Sequence, residues 1–175
     1  MEKLYCYCIS CYSGNEEKVA EKIRRIADDV TAIVPVYERE EKKNGAWSRH
    51  CYALLPGYLF IYTDNPLKMS ALFGISQLTG ILRYDDDSCE LKGSDLEFAQ
   101  WVWRYHGTIG LSRVVMEGDR IKVIDGPLKD YEGVIKKVNK HRRSAMVEIK
   151  VGKHSKDVWM SFQWFDASQE VQTII

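Results

Sequence analysis

The sequence predicts an α+β chain with a ferredoxin-like βαββαβ sandwich over residues 1–107, a linker at 108–113 and a small β-barrel or sandwich over 114–175. Three observations predict it. Hydrophobic segments of strand and helix period follow one another before Gly107 in the order strand–helix–strand–strand–helix–strand. From Val114 onward only short alternating segments occur, and Gly107-Thr108-Ile109-Gly110 marks the change of texture. The charge divides at the same place: 13 basic against 16 acidic residues up to Gly107, then 12 against 9. The overall neutrality is therefore a cancellation.

Leu4 to Cys11, rich in aromatic and Cys residues, reads as a strand ended by Ser13-Gly14. Val19, Ile23, Ile26 and Val30 recur at three- and four-residue steps and predict a helix, opened by a capping box of Ser13 with Glu16. Ala32 to Glu38 is a strand that turns through Lys43-Asn44-Gly45 into Trp47–Ala53, because Asn-Gly supplies the positive φ of a tight hairpin. Pro56-Gly57 breaks that strand and Tyr58–Tyr62 resumes it. Asn65-Pro66 resembles an N-cap followed by proline at the first helical position, opening a helix with Leu67, Met69, Leu72 and Phe73 that Gly74 closes. A short strand at Ile81–Tyr84 and an acidic turn at Asp85-Asp86-Asp87 follow. The last helix of this part has a capping box of Ser94 with Glu97 and an apolar stripe of Phe98, Trp101, Val102 and Tyr105.

Beyond the linker, strands are expected at Arg120–Asp125, Val134–Asn139, Ala145–Val151 and Asp157–Met160, with turns at Gly126-Pro127 and Lys140–Arg143. Ala145, Val147, Ile149 and Val151 alternate with polar or larger residues, so they are the inward set.

Composition excludes several classes. With 45% hydrophobic and 29% charged residues the chain can bury a core and is not disordered. No apolar run approaches the roughly 20 residues of a membrane helix, and the first residues lack a secretory pattern, so a cytoplasmic chain with no membrane partner is expected. Five cysteines without such a pattern argue for reduced thiols. Cys6, Cys8 and Cys11 have near-ligand spacing, but an extended strand points Cys11 away from the other two, and packing beneath helices is the better reading. No phosphate loop, dinucleotide glycine pattern, zinc-protease helix or nucleophile elbow occurs, and the four histidines are scattered. The expectation is a protein that is not an enzyme, with no catalytic residue, cofactor or metal.

One charge asymmetry stands out. Between Lys129 and Lys156 there are nine Lys and Arg but three acids. Lys136, Lys137, Lys140, Arg142 and Arg143, with His141, crowd one hairpin and Lys129 lies nearby in sequence. Cations on a tight turn pair with closely spaced phosphates, and arginine forks read guanine edges where an RNA groove is widened. These seven residues are the candidate RNA-binding set.

Gly118-Asp119-Arg120-Ile121-Lys122-Val123-Ile124-Asp125-Gly126-Pro127-Leu128-Lys129-Asp130-Tyr131-Glu132-Gly133-Val134-Ile135 closely resembles a KOW motif. The resemblance implies a small SH3-like barrel, and Gly133 is read as the site of a bend or close backbone approach. Leu4-Tyr5-Cys6-Tyr7, Cys11-Tyr12-Ser13-Gly14-Asn15-Glu16-Glu17-Lys18-Val19 and Leu54-Leu55-Pro56-Gly57-Tyr58-Leu59-Phe60-Ile61 resemble the amino-terminal (NGN) domain of NusG-type transcription elongation factors. Within that family the basic turn and the stretch from Val115 through Gly133 look most like the specialised LoaP paralogues, processive antiterminators.

The resemblance implies a bacterial, monomeric transcription factor. Its first domain would dock an apolar pocket on the clamp helices of RNA polymerase and bridge the DNA cleft, making DNA of the transcription bubble a candidate further contact. Carried over by motif position, Tyr5, Tyr7, Tyr12, Leu54, Leu55 and Tyr58 are the polymerase-binding candidates. Leu54-Leu55 stands where general members usually carry two phenylalanines. The second domain would bind a nascent RNA hairpin. Two alternatives remain: a general elongation factor whose KOW barrel binds a termination factor or ribosomal protein, and a ribosome-associated RNA-binding protein.

Overall fold

The computed structural model describes residues 3–26 and 29–165. By packing, the described residues form two units, one from 3–36, 53–108 and 150–155, the other from 37–52, 109–149 and 156–165.

In the first unit β1 (Tyr5–Cys11) pairs antiparallel with both β5 (Tyr58–Thr63) and β6 (Leu78–Ile81). β2 (Val30–Ile33) pairs with the other side of β5, giving the order β2-β5-β1-β6. β1 and β5 are central strands, and apolar residues occupy both of their faces. Tyr7, Ile9, Leu59 and Ile61 meet Val19, Ala20 and Ile23 of α1 (Glu16–Ile26). The opposite parity meets α2 (Gly93–Arg104): the Phe60 and Phe98 rings lie 5.6 Å apart, and the Tyr62 hydroxyl donates to the Ala99 carbonyl at 2.7 Å. The two helices thus cover opposite faces of the sheet, a departure from the expected ferredoxin-like sandwich, which carries both helices on one face. The reason is legible in Cys6, Cys8, Phe60 and Tyr62, which make the second face as apolar as the first. All three Cys residues of β1 are buried, and burial, aided by Glu90, pushes the Cys6 thiol up to about 11.

Several local expectations change. Val30, expected in the first helix, opens β2, because α1 ends at Ile26, and the strand expected at Ala32–Glu38 is broken between Ile33 and Val36, at Pro35. Residues 65–73 do not form an α-helix: only Met69–Leu72 turns, as 3₁₀, between extended Lys68 and Phe73. Leu72 joins the core beneath α1, whereas Phe73, expected in the apolar stripe, is 81% exposed. The strand expected at Ile81–Tyr84 lies earlier, as β6. Neither capping box forms. Lys92 is the N-cap of α2 with no side-chain cap, and Asp95 instead accepts from the Tyr84 hydroxyl at 2.8 Å and the Gly152 N–H at 2.8 Å.

At α1, Glu16 is itself the first helical residue, so its carboxylate cannot reach back from the third position. It accepts the Gly57 N–H at 2.6 Å, tying the Pro56-Gly57 turn to the helix start. Burial opposes its charge, but the N–H groups of Glu16 itself, Gly57 and Gly14 and the Ser13 hydroxyl outweigh this and hold its pKa below the usual value. A depressed carboxyl contributes stability above its unfolded pKa, lost as pH falls through the folded one. Glu16→Gln is therefore expected to destabilise the chain by about 1–3 kcal/mol at pH 7 in urea unfolding, the gap narrowing below about pH 4.

In the second unit β3 (Val36–Lys43) and β4 (Ala46–Ala53) form the expected hairpin, with positive φ at both Asn44 (52°) and Gly45 (84°). With β7 (Thr108–Ile109) they make the sheet β4-β3-β7. A five-stranded sheet has the order β10-β11-β12-β8-β9, from β8 (Ser112–Glu117), β9 (Arg120–Asp125), β10 (Lys137–Asn139), β11 (Ser144–Val151) and β12 (His154–Trp164). Ala145, Val147, Ile149 and Val151 are all buried, as their alternation requires.

The expected strand at Val134–Asn139 shrinks to β10, because Pro127–Val134 is a 3₁₀ segment, and β12 is longer than Asp157–Met160. Residues 108–113, read as linker, carry β7 and the start of β8, with Ile109 and Ser112 buried. The close backbone approach expected at Gly133 occurs at Gly126 instead. Gly133 has open space where a Cβ would stand, whereas Gly126 has φ 96° and would place a Cβ 2.7 Å from Ser112 Cα. Among the described residues no helix is long and apolar enough to cross a membrane.

Candidate functional site

The basic turn of the second unit is built by its main chain. β10 pairs with β11 with Asn139 opposite Ser144, leaving residues 140–143 to close the hairpin. Asn139 Oδ1 accepts the Arg142 N–H at 2.9 Å, an Asx turn, and Arg143 takes a left-handed φ of 48°. The Phe162 N–H of β12 donates to the Arg143 carbonyl at 2.8 Å. A turn held this way loses little entropy when its cations meet a ligand.

The seven expected RNA-binding residues do not form one cluster. Lys137, Lys140, His141 and Arg142 are exposed on the turn and the strand leading to it, and Arg143 is half-buried. Lys140 Nζ donates to the Asp119 carbonyl at 3.3 Å, at the start of β9. Lys129 Nζ donates to the Ile124 carbonyl at 3.1 Å, at the far end of the same strand. Five strand residues at about 3.3 Å each separate those carbonyls by about 16 Å, so Lys129 lies apart from the turn. Lys136 is exposed but paired with Asp157 at 2.8 Å and Glu148 at 3.2 Å. Its hydrogen bond to Asp157 raises its pKa, outweighing burial, with help from Glu148. Two carboxylates neutralise it, and it adds little to the field of the turn.

Sequence reasoning missed what faces the turn. A groove of about 400 Å³ is lined by His141 and Arg142 together with Arg39, Glu40, Glu41, Lys42 and Trp47 of the β3–β4 hairpin, all within the second unit. The Arg143 guanidinium lies over the Trp47 ring at 4.7 Å from its centroid. The available signal was a tryptophan two residues beyond Asn-Gly with Lys42, Lys43 and Arg49 around it, a basic hairpin carrying one large aromatic.

In the first unit the six polymerase-binding candidates divide by burial. Leu54 and Leu55 are 0% and 5% exposed and Tyr7 is 5% exposed, so none of the three offers a surface. Tyr7 is spent internally: its hydroxyl accepts the Leu67 N–H at 3.1 Å. Leu55 holds the Pro56-Gly57 turn through its carbonyl, which accepts the Tyr58 N–H at 3.1 Å. Tyr5 is half-buried with Lys3 Nζ over its ring, and Tyr58 is half-buried beside His154. Tyr12 is 63% exposed. Its N–H donates to the Gln77 carbonyl at 3.1 Å, fixing it beside the loop that follows Phe73. Phe73 is the other strongly exposed aromatic of this unit, and its place in an apparent helical stripe hid it. Among the described residues no group of three or more His, Cys, Asp or Glu is placed to hold a metal.

Comparison with known proteins gives a consistent result. The family model described as transcription termination factor nusG matches residues 5–96, and the KOW motif matches residues 117–154. The transcription termination/antitermination protein NusG of Borreliella burgdorferi is 22% identical, over 90% of this chain and 95% of the relative. That of Buchnera aphidicola is 24% identical, over 93% and 95%. A solved structure described as domain interaction in Thermotoga maritima NusG has a TM-score of 0.57 at 18% identity, covering 91% of this chain and 94% of that one. That likeness is one of fold.

Proposed function

The chain belongs to the NusG family of transcription termination and antitermination factors, and from that premise we propose that it is a processive antiterminator of the LoaP type, joining RNA polymerase to a folded nascent transcript. NusG-family proteins are transcription factors rather than enzymes, and phosphodiester chemistry belongs to polymerase. The observation that carries the reading is the basic turn: Lys140 and Arg142 stand exposed on it, and Lys137 on the strand leading to it, with the turn fixed by the Asn139 side chain and by the Arg143 carbonyl. Held there, the cations match the close phosphate spacing of a folded RNA, and Arg142 and Arg143 supply forks for base edges. The functional partition starts from the one drawn from the sequence, residues 1–107 for polymerase and 114–175 for RNA, with the hairpin at 37–52 moved to the RNA side because it packs within the second unit.

Binding polymerase and transcript at once makes each contact raise the effective concentration of the other. A factor that grips the closed, elongating clamp better than the open one shifts polymerase toward elongation by that difference in affinity. Pausing and termination then fall on transcripts that carry the hairpin.

The polymerase contact narrows to the two most exposed aromatics of the first unit, Tyr12 and Phe73, with Tyr5 and Tyr58 at half burial; Tyr7, Leu54 and Leu55 shape it from beneath. Tyr12→Ala with Phe73→Ala is expected to lower retention of purified polymerase at least about tenfold, since exposed aromatic anchors carry interface energy. Both side chains are exposed, so the melting temperature stays within a few degrees. Unchanged retention places the polymerase contact elsewhere.

One observation favours a second reading of the barrel. Met116, Val134 and Val138 are 44%, 57% and 38% exposed, and Val138 borders a groove with Ile121 and Ile135. An apolar patch of that kind suits a protein partner such as a termination factor or ribosomal protein. Capture of such a protein by the full chain, with no retention of structured RNA, selects this reading.

A further inference from the structure

We propose that Trp47 is a stacking platform for an unpaired nucleotide next to the folded RNA, making the β3–β4 hairpin part of the RNA site; this rests on reading the 140–143 turn as that site. Trp47 is 36% exposed although it is among the largest apolar side chains of the chain. It is not used as core. Its ring carries the Arg143 guanidinium at 4.7 Å, so a planar cation and an indole already stand together at the edge of the basic turn.

The groove beside them offers Lys42 from the hairpin and Arg142, next to His141, from the turn, while Arg39 in its wall is paired with Glu41. That combination, a flat aromatic with cations around it, is what single-stranded nucleic acid uses: the base stacks and the phosphates on either side find positive charge. A paired base inside a stem cannot present its face in this way, so the ligand is an unpaired nucleotide, in a tail or bulge adjoining the helix.

The two acids of the groove do not oppose this arrangement with free charge. Glu40 accepts from Gln163 Nε2 at 3.2 Å and lies 3.5 Å from the Arg49 guanidinium. Glu41 accepts the Tyr52 hydroxyl at 3.0 Å and lies 3.5 Å from Arg39 Nε. Their partners hold both carboxylates in internal pairs, and both also keep the hairpin's cations in position.

The test uses the full chain and a pool of RNA hairpins with randomised loops, made with blunt stems or with a 3′ hexa-adenylate tail. Stacking tolerates any base, so the tail needs no particular sequence. The tail is expected to tighten binding about five- to hundredfold. Trp47→Ala removes that gain, so that tailed and blunt hairpins bind the variant alike, and Trp47→Phe retains part of it. A 2-aminopurine in the first tail position is quenched by the parent chain and not by Trp47→Ala. Blunt hairpins that bind through Arg142 and Arg143, with no gain from the tail or a gain that Trp47→Ala leaves intact, overturn the stacking site alone. Failure of the parent chain to retain any member of the blunt pool overturns the RNA reading of the turn, and the stacking site with it.

Discussion

Replacing Arg142 and Arg143 together by alanine is expected to weaken hairpin RNA binding by at least about thirtyfold at fixed salt, with discrimination among hairpins lost in parallel. Each arginine fork that reads a base edge is worth about 1–3 kcal/mol, and the two belong to one rigid turn. The Arg142 side chain lines the open groove, whereas the Arg143 guanidinium is stacked on Trp47. Arg143 holds a positive φ that every residue with a Cβ strains to adopt, so alanine leaves that cost unchanged and removes only the guanidinium and its packing on Trp47. Comparing the single variants by gel shift and by melting temperature separates lost recognition from that lost packing. Lys136→Ala is the internal contrast, because its charge is already met by Asp157 and Glu148.

Gly126→Ala is expected to destabilise the second unit by about 3 kcal/mol or more in urea unfolding. Two costs coincide there. The residue has φ 96°, a region that side chains strain to occupy, and the added Cβ would stand 2.7 Å from Ser112 Cα and 3.0 Å from the Leu111 carbonyl oxygen. Those neighbours are backbone and cannot swing aside. Ser112 is also engaged, since its Oγ accepts the Leu128 N–H at 2.9 Å in a buried bond that any shift would stretch. Gly133→Ala, in open space without a positive φ, should be close to neutral by the same measurement.

Local chemistry made much of the fold legible. Asn44-Gly45 dictates its hairpin because both residues must be left-handed, and the alternation from Ala145 to Val151 dictates an inward face because a strand has period two. The failures share a cause: long-range packing outvotes local signal. Asn65-Pro66 promises a helix, yet Leu67, Met69 and Leu72 pack against the core beneath α1 and only Met69–Leu72 turns, as 3₁₀. Glu16 resembles a capping-box partner, yet its carboxylate binds the Gly57 N–H forty-one residues on.

The candidate site shows the same divide. The cations of residues 136–143 could be counted in the sequence, but not that Lys136 is paired across to β11 and β12 or that Lys129 falls at the other end of β9. Trp47 is about a hundred residues from Arg143, and only the folded chain brings the indole under the guanidinium. Leu54 and Leu55 were singled out by motif position, which fixes where they lie in the chain and leaves their exposure open. They are buried because the Pro56-Gly57 turn folds back onto the start of α1.

The most direct test of the claim that this chain joins polymerase to folded transcript is single-round transcription through an intrinsic terminator with purified RNA polymerase. The template leader encodes, or lacks, a hairpin selected from the pool by the full chain. The account predicts that the chain raises read-through only when the hairpin is transcribed, and that Arg142→Ala with Arg143→Ala abolishes the increase. Read-through that responds equally on both templates, or not at all, contradicts it.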